Sequence, residues 1–163
     1  MAKCLIGNSL LLIPVLTIAE PLGLIKMEKA DIIIKLVNSF IKKDKRVRSL
    51  HELNNIKKRQ KFASRINHGW TDIFDEKLFK PTPNGIHNSE VLINYIPIKK
   101  NTDCYIISNF NGEDNEIVSF ERALTEFCTG AAGIVIYDFE KNILFIEEEQ
   151  TKGGPGRFIG RNN

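Results

Sequence analysis

The strongest pattern of apolar and polar positions lies near the C-terminus. Residues 133–139 (GIVIYDF) and 142–149 (NILFIEEE) are rich in β-branched and aromatic side chains and flank a polar pair, Glu140-Lys141. This composition predicts a β-hairpin. With that pair as the turn, Val135 faces Ile146 and Tyr137 faces Leu144 on one side. Ile136 faces Phe145 and Asp138 faces Ile143 on the other. Both faces are mostly apolar, whereas a hairpin exposed on one face alternates apolar with polar, so this one is predicted to be covered on both. A shift of the turn by one residue would exchange these facing pairs.

Upstream, the period changes to that of helices. Within residues 26–41, Ile33, Leu36, Val37, Phe40 and Ile41 form one stripe, the spacing of an amphipathic helix. Asp44 is placed to cap a second helix that turns Val47, Leu50 and Leu53 inward. Asn54 or Asn55 then caps a third, with Ile56, Phe62, Ala63 and Ile66 inward and Gly69 at its end. Residues 70–88 read as a connector with the turn chemistry of Pro81, Pro83 and Asn84-Gly85, pinned to the core by Trp70, Phe74, Leu78 and Phe79. Residues 91–98 and 103–108 are predicted strands around residues 99–102, with Pro97 at a strand end or sheet edge. Residues 109–116 are a polar loop. Ser119 opens a helix with Phe120, Ala123, Leu124 and Phe127 inward, stopped by Gly130.

The expected fold is therefore α+β, in the order α-α-α-β-β-α-β-β, with basic N-terminal helices packed on a small, mostly antiparallel sheet. Residues 26–163 form one domain. Residues 1–25 are a separate apolar segment, interrupted at Pro14, and too short and broken for a good transmembrane helix. The segment reads as a signal peptide, a docked segment or a misassigned start before Met27. No integral membrane span is expected.

Charge is segregated along the chain. The net charge is only +3 over 163 residues. Residues 26–65 nevertheless carry 13 Lys/Arg against 4 Asp/Glu, and residues 113–149 carry 10 Asp/Glu against 2 Lys/Arg. Either the two halves attract each other or the basic helices offer a surface to an anionic partner. That surface would comprise Lys42, Lys43, Lys45, Arg46, Lys57, Lys58, Arg59 and Lys61, all expected to point largely outward. It lacks interleaved aromatics, so base stacking on these helices is not expected, while contact with phosphates alone fits.

No motif has a spacing tied to one chemistry. Cys4, Cys104 and Cys128 form an odd set without a metal-ligand pattern, which fits a reducing, cytoplasmic setting; secretion would follow if residues 1–19 were a signal peptide. A Cys104–His87 nucleophile pair can be drawn, but a thiol in an apolar strand is expected to be inert. Residues 109–116 resemble a calcium loop in composition but not in spacing. The glycine-rich loop TKGGPGR could approach a phosphate, although no helix follows it as in a P-loop and Pro155 removes one N–H. Glu147 and Glu149 share one strand face and, with Lys152 and Arg157, make a candidate loop site. No metal and no cofactor is expected.

The runs CYIIS (residues 104–108), FERAL (120–124) and GIVIYDFEKNILFIEEE followed by GRFIGR resemble a pattern in small uncharacterised bacterial proteins. That pattern is a strand, an acidic loop, a helix, a hairpin ending in glutamates and an arginine-bearing end. It implies no activity, so no residue inherits a role from it.

The first functional expectation is a non-enzymatic binding or interaction protein with a protein partner: an inhibitor, an immunity-type protein or an accessory subunit. The second is a nucleic-acid-associated protein using the basic helices. The third is an enzyme with a carboxylate/arginine site at the C-terminal strands. One consequence concerns the N-terminus. A chain shortened to begin at Met27 should keep its fold and its Tm in thermal unfolding; collapse would assign residues 10–25 to the core.

Overall fold

The computed structural model describes residues 27–83, 89–109, 112–130, 133–150 and 154–162, apart from the side chains of His68, Ser89 and Glu90. The apolar segment 1–25 lies outside these residues. Three helices come first: α1 (Lys29–Phe40), α2 (Arg46–Leu53) and α3 (Ile56–Gly69). They are followed by β1 (Phe79–Pro81), α4 (Ser89–Tyr95), β2 (Asp103–Ser108), β3 (Ile117–Ser119) and α5 (Phe120–Arg122), which runs on as a π-helical stretch, Ala123–Phe127. The hairpin β4 (Ile134–Asp138) and β5 (Ile143–Glu147) and a last strand, β6 (Arg157–Arg161), complete the chain. The six strands form one antiparallel sheet in the order β1-β6-β5-β4-β2-β3.

The hairpin has the expected register, with Val135 opposite Ile146, Ile136 opposite Phe145, Tyr137 opposite Leu144 and Asp138 opposite Ile143. Its turn is closed by Asp138, whose carboxylate accepts from the N–H groups of Glu140 and Lys141, both at 3.0 Å. Asn142 takes a left-handed conformation (φ 55°), which asparagine tolerates better than most residues. Both faces are covered. Val135, Tyr137, Leu144 and Ile146 join the core beneath α1–α3, while Ile134, Ile136, Ile143 and Phe145 join a second core with α4 and α5. The sheet is thus the middle of three layers.

The helices follow their apolar stripes where these are long. Ile33, Leu36, Val37 and Phe40 of α1 and Phe62, Ala63 and Ile66 of α3 are buried. Asn55 caps α3, accepting from the Lys57 N–H at 3.0 Å. Ser119 caps α5, accepting from the Arg122 N–H at 3.3 Å. Phe120, Ala123, Leu124 and Phe127 face inward, and Gly130 beyond them has φ 73°. The connector is pinned by an aromatic cluster: Trp70 lies 4.9 Å from Phe79 and 4.6 Å from Phe158, ring centre to ring centre.

The predicted α+β order holds in outline, with local corrections. Residues 91–98 were expected to be a strand, but α4 occupies most of them. Leu92, Ile93 and Ile96 are buried while Val91 and Tyr95 are about half exposed, a helical division of faces that β-branched composition alone conceals. Pro97 disfavours helical continuation at Ile96. Strands β1 and β3 have three residues each, too few to show alternation. They form the two sheet edges, and short edges limit unwanted pairing. Asp44 does not cap α2: a 3-10 turn, Lys43–Lys45, intervenes and Lys45 holds the cap position. The buried face of α2 therefore becomes Ser49, Glu52 and Leu53. Val47 and Ile56, both expected inward, are each 82 % exposed because each stands in the first turn of its helix, short of the buried face.

Gly160 is fixed by close approach. It pairs with Phe79, and a Cβ there would lie 2.6 Å from the Phe79 ring. At the sheet centre, Phe145 is fully buried. Phe145→Ala is expected to cost about 3–5 kcal/mol in urea unfolding; a cost below about 1 kcal/mol would mean that the two-sided core does not hold the fold.

Candidate functional site

The eight candidate cations divide into surface and interior. Lys43, Lys45, Lys57, Lys58 and Lys61 are exposed, and Lys42 and Arg46 are half-buried. Arg46 serves the fold: its guanidinium donates to the carbonyls of Ile41 (3.1 Å) and Asn38 (2.7 Å) at the end of α1. Lys45 pairs with Asp44 at 2.9 Å. Lys58 contacts His51 Nε2 at 2.6 Å, bringing it onto the side of α3 that meets α2. Among the described residues, Lys42, Lys43, Lys57, Lys58 and Lys61 form no ion pair with a carboxylate, although the charge of Lys42 is felt by Asp44.

Arg59 is the correction. It was expected to point outward, yet it is only 3 % exposed. Its Nε and Nη2 donate to the two Asp114 carboxylate oxygens at 2.6 and 2.8 Å, and Nη1 donates to the Leu53 carbonyl at 2.6 Å. The guanidinium carbon lies 5.7 Å from the Tyr105 ring centre. Asp114 also accepts from the Ser108 N–H at 3.2 Å, and the Tyr105 hydroxyl donates to Asn115 at 2.7 Å. Burial pulls the Arg59 pKa down, but the hydrogen bonds and charges of Asp114 and Tyr105 together more than offset this and leave it raised. Burial likewise pushes the Tyr105 phenol up to about 12, against the opposing charge of Arg59. Helical spacing carried the missed signal. Arg59 precedes Phe62, Ala63 and Ile66 by three, four and seven positions, on the inward stripe of α3.

A cleft of about 700 Å³ opens between the 3-10 turn, α2 and the end of α3. It is lined by Lys42, Lys45, Arg48 and Arg65, by the serines 49 and 64, and by Asp44 and Asp72. Arg48 and Arg65 both pair with Glu52, a buried carboxylate. The Arg65 Nε is buried with no hydrogen-bond partner among the described residues. Lys57, Lys61 and Arg65 are four residues apart along α3 and share one face, so the lysines extend the positive side of the cleft.

Two of the four residues of the C-terminal candidate site, Glu147 and Arg157, are closed off from solvent. Glu147 is fully buried and stands opposite Arg157 in the strand register. Arg157 Nε donates to it at 2.7 Å, and the Gly130 N–H donates to its other oxygen at 2.9 Å. Glu149 is half-buried. Lys152 and the neighbouring Thr151 and Gly153 lie outside the described residues, as does His87. Glu148 has a raised pKa, caused by burial and partly offset by a hydrogen bond from Trp70. No group of three potential metal ligands occurs among the described residues. Burial pushes the Cys104 and Cys128 thiols well up, which makes them poor nucleophiles. No described helix is long and apolar enough to cross a membrane. Comparison with protein-family models, curated proteins and solved structures gives no match, so no residue role is carried over from a relative.

The basic residues therefore separate by role. Arg59→Met leaves Asp114 buried without its cation and should cost about 3–5 kcal/mol. Replacing Lys57, Lys58 and Lys61 with Gln should change stability by no more than about 0.5 kcal/mol each. Urea unfolding of both variants tests this. Equal stability of Arg59→Met and the unmodified chain would show that the buried pair does not secure α3.

Proposed function

We propose that this is a non-enzymatic binding protein whose partner is an acidic protein surface, engaged along α2, α3 and the cleft between them. The five lysines that form no ion pair with a carboxylate among the described residues carry this reading. Pairing between the basic and acidic halves would have consumed this charge. Of the eight candidate cations, Arg59 alone forms an ion pair with residues 113–149 among the described residues.

The choice of a protein over a nucleic acid rests on Val47 and Ile56. Each is 82 % exposed on a basic helix. Apolar contacts beside complementary charge suit a protein interface, whereas a phosphate backbone makes no use of them. The second reading, nucleic acid held through phosphates, draws on the same lysines and on the cleft. The enzymatic reading draws least support, since Glu147 and Arg157 form a buried pair rather than an open one.

Two variants separate the readings: Lys57, Lys58 and Lys61 changed to Gln, and Val47 with Ile56 changed to Ser. Material co-purifying with each full chain is identified and titrated against salt. An acidic protein lost with both variants is the expected result. Duplex DNA retained by the Val47/Ile56 variant, with affinity falling by about 0.9 log unit per log unit of salt for each phosphate contacted, would replace the protein reading with the nucleic-acid one.

A further inference from the structure

A second cavity, of about 540 Å³, lies away from α2 and α3 at the β1–β6 end of the sheet. It is within the range of small-ligand sites. Lys77 and Leu78 reach it from the turn before β1, Lys80 from β1, Ile159 and Arg161 from β6, and Tyr95 from the end of α4. The placement follows from strand geometry. Lys80 stands opposite Ile159, and Ile159 and Arg161 are two residues apart, so all three share one sheet face. That is the face on which Ile159 packs against the core of α4 and α5.

The chemistry of this lining differs from that of the α2–α3 cleft. Three cations surround an aliphatic base, and no carboxylate occurs among the described lining residues. Lys77, Lys80 and Arg161 have no ion-pair partner among the described residues. Tyr95, 46 % exposed, lines the same cavity as these charges. The helical basic surface has cations without an exposed aromatic; this cavity has both. A ligand that matches it has a flat apolar part and at least one anionic group.

We infer that this cavity binds a nucleotide unit, with the base stacked on Tyr95 and the phosphate held by Lys77, Lys80 and Arg161. Stacking uses the π face and the cations use the phosphate charge, a combination that tolerates any base. The same chemistry is offered by a free nucleotide and by one nucleotide of a single strand. An acidic peptide would use the cations but not the ring.

Calorimetric titration of the full chain with AMP, pyrophosphate, hexathymidylate and hexaglutamate tests the assignment, with NMR of the Tyr95 ring as the local readout. AMP or hexathymidylate is expected to bind and to shift the Tyr95 ring resonances. Tyr95→Ala should weaken that binding about tenfold, whereas Tyr95→Phe should preserve it. Lys80→Gln combined with Arg161→Gln should abolish it. Equal affinity for AMP and hexathymidylate supports a free nucleotide. Tighter hexathymidylate binding, with a salt slope of about −0.7 per phosphate, supports a single strand. Hexaglutamate binding as tightly as both, unchanged in Tyr95→Ala, would overturn the nucleotide assignment in favour of an acidic peptide. No binding of AMP or hexathymidylate at millimolar concentration would overturn it outright. The variant with Lys57, Lys58 and Lys61 changed to Gln should bind AMP normally, so failure of the α2–α3 reading leaves this test intact.

Discussion

A hairpin that is apolar on both faces imposes the main constraint on this fold. Sheets can leave one face in water only if that face is polar. In β4 and β5 every residue is buried, and the charged ones, Asp138 and Glu147, stand at the ends of their strands. The chain must therefore supply two covers. The first is α1–α3, laid down before the sheet, and the second is α4 with α5, inserted between strands. β2 and β6 flank the hairpin and extend the apolar surface on each side. The sheet then terminates in strands of three residues, where little backbone is left to pair.

Covering both faces also traps charge, and the structure handles it by pairing. Arg59 meets Asp114 across 55 positions of sequence, tying α3 to the loop before β3. Glu147 meets Arg157 and the Gly130 N–H, tying β5 to β6 and to the end of the α5 segment. Desolvation offsets much of the attraction in such pairs, so their net contribution is small compared with the loss when one partner is removed. Their effect is to fix which elements meet. Between the basic and acidic halves of the sequence, the ion pairs among the described residues are the buried Arg59–Asp114 and the exposed Lys29–Glu116, while Lys57, Lys58 and Lys61 on α3 pair with no carboxylate there.

What was legible in the sequence follows the length of each pattern. Five consecutive cross-strand pairs define the central hairpin, so its register could be read from composition and one turn. The stripes of α1 and α3 span several turns and were equally clear. Residues 91–98 misled because isoleucine and valine favour strands, while the burial of Leu92, Ile93 and Ile96 is a tertiary choice. Val47 and Ile56 misled because each stands in the first turn of its helix, where a stripe has too little length to fix its phase. Arg59 was assigned by residue type instead of position, although its spacing from Phe62 and Ile66 placed it inward. Its partner could not be found at all, since no local pattern joins α3 to Asp114. Glu147 and Arg157 were expected near one another and are, but composition could not show that the pair is shut inside the protein.

The separation of charge from apolar exposure shapes how such a surface would work. The lysines on α3 and around the 3-10 turn before α2 project a field that acts over roughly 8–10 Å at ordinary ionic strength. This range is long enough to orient an approaching anionic partner, and it chiefly raises the association rate. In the proposed interface, Val47 and Ile56 would act only on contact, by leaving water, and would chiefly slow dissociation. The buried Arg59 contributes to neither, because Asp114 cancels its charge within the fold. The sequence block that is most basic is therefore divided by helix face. Arg59, on the inward stripe of α3, orders the layers, and the lysines outside that stripe remain available to whatever the protein meets.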